Sequence, residues 1–423
     1  MRSAEVIAVG SELLGSTRTD TNSLFLSERL SALGIDLRIK SVVGDERGDL
    51  ATVLRQALER TDVVVLTGGL GPTDDDLTRD VVSEVMELPM SEDPAIVEKI
   101  RARFERRGLT MPEVNRRQAM VPRGAIVLDN PNGTAPGLFI DHQWQGRRRI
   151  VILLPGPPRE LQPMFDGVCA GPLRERAGTE RTYRTSLFIT GRGESHVEQK
   201  AQPVYSRWRD MTPPIATTIL AAMGQIELHL SVRDTDDARA KATLGRAKQE
   251  LLAVVGDDVY STDGRVMEEI LGDLLKERGY TIAAAESCTG GLFTSRLTDV
   301  PGSSTYVRAS VVAYAYEDKT ALLGVPTEML NAHGAVSEPV AVAMAEGIRE
   351  RTGADVTIGI TGIAGPGGGT PDKPVGTVVI AAIVPGQPAY VRTYTFLGGR
   401  AMVKFQATQA AMDRVRRMLT RDG

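Results

Sequence analysis

The sequence has little of what marks exported, metal-clustered or nucleic-acid-binding chains. It contains two cysteines, Cys169 and Cys288, far apart in sequence and without metal-ligand spacing, which excludes a disulfide framework and a thiolate zinc site and fits a reducing cytoplasm. The four histidines, His142, His196, His229 and His333, are equally dispersed, so any metal is expected to be oxygen-ligated. Aromatic residues make up only 4%. No apolar run approaches the roughly 20 residues that span a bilayer, and no basic leader precedes the first apolar run, so neither export nor membrane insertion is expected. Neither sign of charge dominates: 50 Lys and Arg face 54 Asp and Glu, for a net charge of −4. Such a chain has no broad positive field with which to hold a polyanion, and nucleic acid is not an expected partner.

What is present is an ordinary globular balance, 42% apolar and 25% charged over 423 residues, too long for one core and enough for two or three domains. The pattern predicts α/β folds at both ends and a smaller α+β module between them. In residues 1–170, apolar β-rich runs at 5–9, 36–43 and 63–67 alternate with helical patterns at 21–33 and 49–59. This order specifies βαβ crossovers and a parallel sheet covered on both faces, with residues 150–154 as a second sheet edge leading into Pro155-Gly156-Pro157-Pro158. Residues 171–256 read as strands at 183–190, 215–220 and 225–232 with helices between and after them, a spacer or dimerisation module. Residues 257–423 return to α/β, with strands expected at 281–285, 310–316, 356–361, 376–383 and 390–396 and helices at 337–352 and at the end of the chain.

Three loops of the first domain follow apolar strands: Gly10-Ser11-Glu12-Leu13-Leu14, the 67–73 stretch Thr67-Gly68-Gly69-Leu70-Gly71-Pro72-Thr73, and the loop around Gly156. Glycines without Cβ let backbone N–H groups approach a phosphate, and a following helix N-terminus adds partial positive charge. Tight turns are the competing explanation. Asp74-Asp75-Asp76 directly after the second loop, with Asp20 after the first strand, suits a hard divalent ion shared with substrate phosphates, although helix capping also accounts for acidic residues there.

In the third domain the outstanding feature is Glu286-Ser287-Cys288-Thr289-Gly290-Gly291, where an apolar strand stops and a glycine-softened helix starts. A hydroxyl at such a corner is either a helix N-cap or a nucleophile, and a nucleophilic serine needs a base. No histidine is placed to form a triad. Lys319, in Tyr314-Ala315-Tyr316-Glu317-Asp318-Lys319, would serve if burial lowered its pKa, with a tyrosine to relay or orient the proton; a solvated surface lysine is the competing reading. Gly362 and Gly365, in a glycine-rich stretch after an apolar strand, read as a nucleotide-pocket wall, and Arg400 before the last helix as either a phosphate partner or a surface arginine. Residues 333–339 read as a turn in which Ser337 caps the next helix.

These motifs resemble the CinA family across nearly the whole chain. The amino-terminal loops, with Asn132-Gly133-Thr134-Ala135-Pro136-Gly137, are similar to its molybdopterin-binding-like domain. The stretches 286–291, 333–339, 362–366 and 374–378 are similar to its nicotinamide mononucleotide deamidase domain. The resemblance implies a KH-type middle module, in which Gly191-Arg192-Gly193-Glu194 lacks the G-x-x-G clamp for RNA. It further implies hydrolysis of nicotinamide mononucleotide to nicotinic acid mononucleotide and ammonia by Ser287, Tyr314 and Lys319, without a cofactor. Thr289, Gly290, Gly291, Gly362, Gly365 and Arg400 would bind the nucleotide. For the first domain it implies hydrolysis of ADP-ribose to AMP and ribose 5-phosphate, with Thr67, Gly68, Gly69, Gly71, Thr73 and Gly156 at the phosphates. Asp20, Asp75 and Asp76 would sit at a divalent metal (Mg, Mn or Co), with K+ as a further candidate ion. A homodimer is expected. The rival reading is a non-enzymatic adaptor that holds a pterin or nucleotide in DNA uptake or damage response.

Overall fold

The computed structural model describes residues 3–420. It is a mixed α/β protein whose contacts divide it into two units, one built from the chain up to Tyr183 with Arg233–Asp237, the other from Arg184–Val232 and the chain from Ala238 on. Among the described residues no helix is long and apolar enough to cross a membrane.

The first unit is organised on a six-stranded sheet in the order Asp36–Val43, Ser3–Val9, Val63–Thr67, Arg147–Leu154, Gly137–Trp144, Ile126–Leu128. Val63, Val64, Val65 and Leu66 are all fully buried, as a central strand covered on both faces requires. The first four strands run parallel, but the last two are antiparallel. The expectation of a purely parallel sheet with residues 150–154 at its edge is therefore overturned. Gln145 and Gly146 both have positive φ, 47° and 73°, the conformation of a two-residue hairpin turn, and this turn returns the chain as Gly137–Trp144 against Arg147–Leu154, placing the latter inside the sheet.

The middle of the chain forms a four-stranded sheet in the order Ile215–Ala222, Gln225–Asp234, Arg181–Ile189, Val259–Ser261, with helices Glu194–Tyr205 and Asp237–Val255. Phe188 and Tyr260 share one apolar cluster with Met267, Leu271 and Leu275 of the carboxy-terminal part, so this stretch and the last third of the chain are packed as one unit.

The carboxy-terminal sheet runs Val307–Val312, Ile282–Glu286, Val356–Gly362, Thr377–Ile383, Tyr390–Thr395. The first three strands are parallel and the last two antiparallel. Alternation distributes its side chains: Ile282 and Ala284 face the cluster of Leu271, Val403, Ala407 and Met412, whereas Ala283 and Ala285 face Val340, Met344 and Ile348. Gly359 has a specific function here, because a Cβ on it would lie 2.1 Å from the carbonyl of Ala341; its absence lets helix Glu338–Thr352 rest directly on the sheet. The strand expected at 310–316 is instead Val307–Val312. The Ala313 N–H closes the ladder on Glu286, and Tyr316 opens helix Tyr316–Leu323 with Glu317 and Asp318 in its first turn, where acidic residues favour a helix start.

Candidate active sites

The strand Ile282–Glu286 lies beside the central strand of the sheet, and the next residue is held to that strand: Ser287 N–H donates to the Ile360 carbonyl at 2.9 Å, and Gly290 N–H closes a turn on the Ser287 carbonyl at 3.0 Å. Gly290 and Gly291 have φ of 63° and 89°, a left-handed pair that glycine adopts without strain. Helix Leu292–Thr298 begins only after them, with Gly291 at its N-cap position. Capping is performed by Glu286, fully buried, whose carboxylate accepts the N–H groups of Phe293 and Thr294 at 3.1 Å each and the Thr294 hydroxyl at 3.0 Å. Ser287 is not the helix cap, and its hydroxyl is left for another partner.

That partner is Lys319. The side chain is 1% exposed, and its Nζ lies 3.1 Å from Ser287 Oγ, 2.8 Å from the Ala313 carbonyl and 3.2 Å from the Tyr314 carbonyl. Burial holds the amine below the ordinary lysine range. In a neutral amine two hydrogens go to the two carbonyls, and the lone pair remains for the serine hydroxyl. The sequence spacing could not show this, because both carbonyls belong to the backbone that carries Lys319 out of the strand.

Tyr314 contributes in a different way from the simplest expectation. Its ring is 58% exposed, its carbonyl accepts from Lys319, and its hydroxyl accepts from Arg400 Nη2 at 2.8 Å. Arg400 Nη1 donates to the Gly365 carbonyl at 2.9 Å, which ties the Gly362–Gly365 segment and the start of helix Arg400–Thr420 to the tyrosine. The Tyr316 hydroxyl accepts from Ala335 N–H at 3.1 Å. Cys288 is buried, and desolvation pushes its thiol up to about 12, outside the range of a reactive thiolate. Ser337 precedes helix Glu338–Thr352, but its Oγ donates to the Gly334 carbonyl instead of capping the helix.

In the first unit the glycine loops converge on one cavity of about 800 Å³, whose lining includes Asp20, Thr67, Gly68, Gly69, Gly71, Thr73, Asp75, Asp76 and Gly156, whereas Asp74 is paired with Arg117. Gly68 N–H donates to the Leu154 carbonyl, Asn22 Nδ2 donates to the Gly156 carbonyl, and a Cβ on Gly68 would lie 2.2 Å from the Val9 carbonyl. The loop of residues 67–76 is fixed from two sides. Asp76 accepts Gly71 N–H at 2.7 Å and Thr73 N–H at 2.9 Å, while Arg79, 3% exposed, donates to the Leu70 and Gly71 carbonyls. Burial lowers that guanidinium to about 10. Asp20 accepts Ser23 N–H at 3.0 Å and the Ser23 hydroxyl. A hydrogen bond from Thr73 holds the exposed Asp75 carboxyl below its ordinary range.

Among the described residues no group of three or more His, Cys, Asp or Glu is assembled as a metal site. The donor set is nevertheless of the right chemistry for an ion that takes one or two carboxylates and completes its shell with substrate phosphate and water. Arg18, Arg103, Arg107 and Arg159 also line the cavity. Sequence reading missed them, since arginines at helix spacing such as Arg103 and Arg107 look the same as a solvated helix face.

Residues 264–419 match the model of the family described as "CinA C-terminal domain", and residues 5–175 match that described as "Probable molybdopterin binding domain". A "CinA-like protein" of Koribacter versatilis is 44% identical over 98% of this chain and 99% of its own length. A "CinA-like protein" of Acidobacterium capsulatum is 43% identical over 98% and 99%. Among solved structures, the competence/damage inducible protein CihA of Agrobacterium tumefaciens is 34% identical, covering 37% of this chain and 94% of its own, with a TM-score of 0.36. With relatives matched end to end at this identity, the chain belongs to the CinA family.

Proposed function

We propose that the carboxy-terminal site hydrolyses the carboxamide of nicotinamide mononucleotide to nicotinic acid mononucleotide and ammonia. One observation carries this reading: a fully buried lysine amine 3.1 Å from a serine hydroxyl, with two backbone carbonyls taking its other hydrogens. Ser287 Oγ attacks the amide carbon as Lys319 Nζ takes the hydroxyl proton. The tetrahedral adduct then breaks its C–N bond, and the Lys319 ammonium returns the proton to the departing amine, which leaves as ammonia. Water adds to the acyl-serine ester by the same route, one of its protons passing through Lys319 to Ser287 as the bond to the serine oxygen breaks, and the released carboxylic acid gives its remaining proton to solvent. The pyridinium charge makes the amide carbon more electrophilic. Tyr314, braced by Arg400, forms the wall beside Lys319 and can relay the proton. The test is ammonia release from nicotinamide mononucleotide by the purified full chain; no release under any condition that preserves the fold removes the assignment.

A second reading rests on the amino-terminal cavity, whose volume of about 800 Å³ suits a dinucleotide-sized ligand. Here we propose hydrolysis of ADP-ribose at its pyrophosphate to AMP and ribose 5-phosphate. Gly68, Gly69 and Gly156 would admit the phosphates to the backbone, and Arg103 and Arg107 would face their charge. Asp20, Asp75 and Asp76 would hold a divalent ion, which supplies charge neutralisation at the two phosphoryl groups. Chromatographic detection of AMP, present with added Mg, Mn or Co and lost on chelation, tests it.

A further inference from the structure

Strand Tyr390–Thr395 is an edge of the carboxy-terminal sheet, and alternation puts Tyr390, Arg392 and Tyr394 on one side of it. The two tyrosines are four residues apart, about 13 Å along a strand, yet their hydroxyls meet at 2.8 Å. The rings therefore lean together over Arg392, whose guanidinium carbon lies 5.1 Å from the centre of the Tyr394 ring. Helix Arg400–Thr420 delivers a second guanidinium, that of Arg414, which stacks on Tyr390 at 3.8 Å. Among the described residues neither arginine has a carboxylate partner. In the same helical turn Asp413 accepts from both Arg416 and Arg417, and Asp258 accepts from Arg417, so the nearby acids are engaged elsewhere. Arg414 Nε is buried and has no hydrogen-bond partner. Stacking on a ring satisfies none of the in-plane N–H groups of a guanidinium, and a buried donor without an acceptor is destabilising.

We infer that Arg392, Arg414 and the Tyr390–Tyr394 hydroxyl pair form a binding site for a phosphate group, separate from the Ser287 site. The groups that converge there are donors. One tyrosine hydroxyl donates to the other, whose own proton is left over. Burial, together with the bond to Tyr390, raises the Tyr394 phenol, so its proton is kept near neutral pH. The charges that act against this rise are Arg392 and Arg414, which places both guanidiniums beside the hydroxyls. Two planar forks and a phenol suit a tetrahedral oxyanion, which offers more acceptor oxygens than a carboxylate and takes guanidinium edges in pairs. Arg414, Arg392 and Phe396 already occupy ring faces, so recognition is of the phosphate and not of a stacked base. Arg414 lies fourteen residues beyond Arg400 in the helix, roughly 21 Å along its axis, too far for one mononucleotide to reach both places. The site stands independently of any reaction at Ser287.

The experiment is titration calorimetry of the full chain and its variants with inorganic phosphate and with ribose 5-phosphate, at about 0.15 M ionic strength, where diffuse attraction between exposed charges is largely screened. Arg392→Gln and Arg414→Gln should each weaken one component of the isotherm roughly 10- to 100-fold, the range for hydrogen bonds to charged groups. Tyr394→Phe should weaken the same component less. Arg414→Lys, which keeps the charge but not the fork, should recover little of it. The arginine-dependent component is the readout, because the Ser287 site and the amino-terminal cavity are further candidate phosphate sites. Its loss for both probes supports a site for free phosphate, and its loss for ribose 5-phosphate alone supports a site for a phosphorylated metabolite. Arg392 is exposed, so Arg392→Gln keeps the test valid if Arg414→Gln fails to fold. Glutamine variants whose isotherms equal that of the unaltered chain overturn the inference. Full recovery by Arg414→Lys does so too, since charge without fork geometry would then suffice. Unchanged phosphate binding with an altered oligomeric state also overturns it and assigns the arginines to an interface between copies.

Discussion

Glu286 and Thr294 are joined by two bonds, the carboxylate accepting both the backbone N–H and the hydroxyl of the threonine at 3.1 and 3.0 Å. This pairing starts helix Leu292–Thr298 and releases Ser287, the first residue of the turn that precedes it, from any capping duty. The position of the Ser287 hydroxyl therefore depends on a buried carboxylate that does not itself touch Lys319.

Glu286→Ala should cost about 1–3 kcal/mol for the stranded N–H groups and should lower kcat more than KM, because the turn that aims Ser287 loses its anchor. Thermal unfolding and ammonia release measured on the same preparation check both parts. An unchanged kcat in a destabilised variant would show that the turn is held by other means.

Ser287→Ala and Lys319→Met should each reduce ammonia release by at least a thousandfold while leaving mononucleotide affinity within a few-fold, since neither removes a phosphate contact. Isothermal titration with nicotinamide mononucleotide reads affinity independently of turnover. A Lys319→Met chain that still turns over at a tenth of the original rate would deny the lysine its proton.

The pH dependence has a defined sign. Burial lowers the Lys319 pKa in the folded protein, so the neutral, base-competent amine accumulates from below the ordinary lysine range, and kcat/KM should rise with pH and level off there. The same shift affects stability. Between the lowered folded value and the ordinary unfolded value the unfolded chain binds more protons, so stability increases with pH through that window and is lost as pH falls through the folded value. Lys319→Met should flatten both profiles.

Asp76→Ala and Arg79→Met should abolish metal-dependent AMP formation from ADP-ribose by loosening the loop of residues 67–76, while ammonia release from nicotinamide mononucleotide persists. Parallel assays on one preparation check the separation. Loss of both activities in a chain that unfolds at the original temperature would mean the two sites are linked.

Much of the candidate sites was legible in the sequence because it is local. Ser287 at a strand-to-helix corner, the glycines after it and the loops of residues 67–73 and 155–158 are all short-range patterns with a backbone reason behind them. The misread features are those decided by distant partners. The antiparallel strand Gly137–Trp144 is absent from the sequence reading because Asp141-His142-Gln143 interrupts its apolar run, and the positive φ of Gln145 and Gly146 turns it back onto Arg147–Leu154. The hydroxyl of Tyr314 is paired with Arg400, 86 residues away, so its tie to the start of the last helix is invisible to spacing.

The amide of Ser287 is bonded to the Ile360 carbonyl in the central strand, which means Ser287 cannot take part in admitting or releasing a ligand. Opening must come from the periphery, through the glycine-rich arc that Arg400 clasps at Gly365. In deuterated solvent the Ser287 amide should be among the slowest to exchange in this half of the molecule, and that arc among the fastest: an immobile anvil beneath a moving jaw.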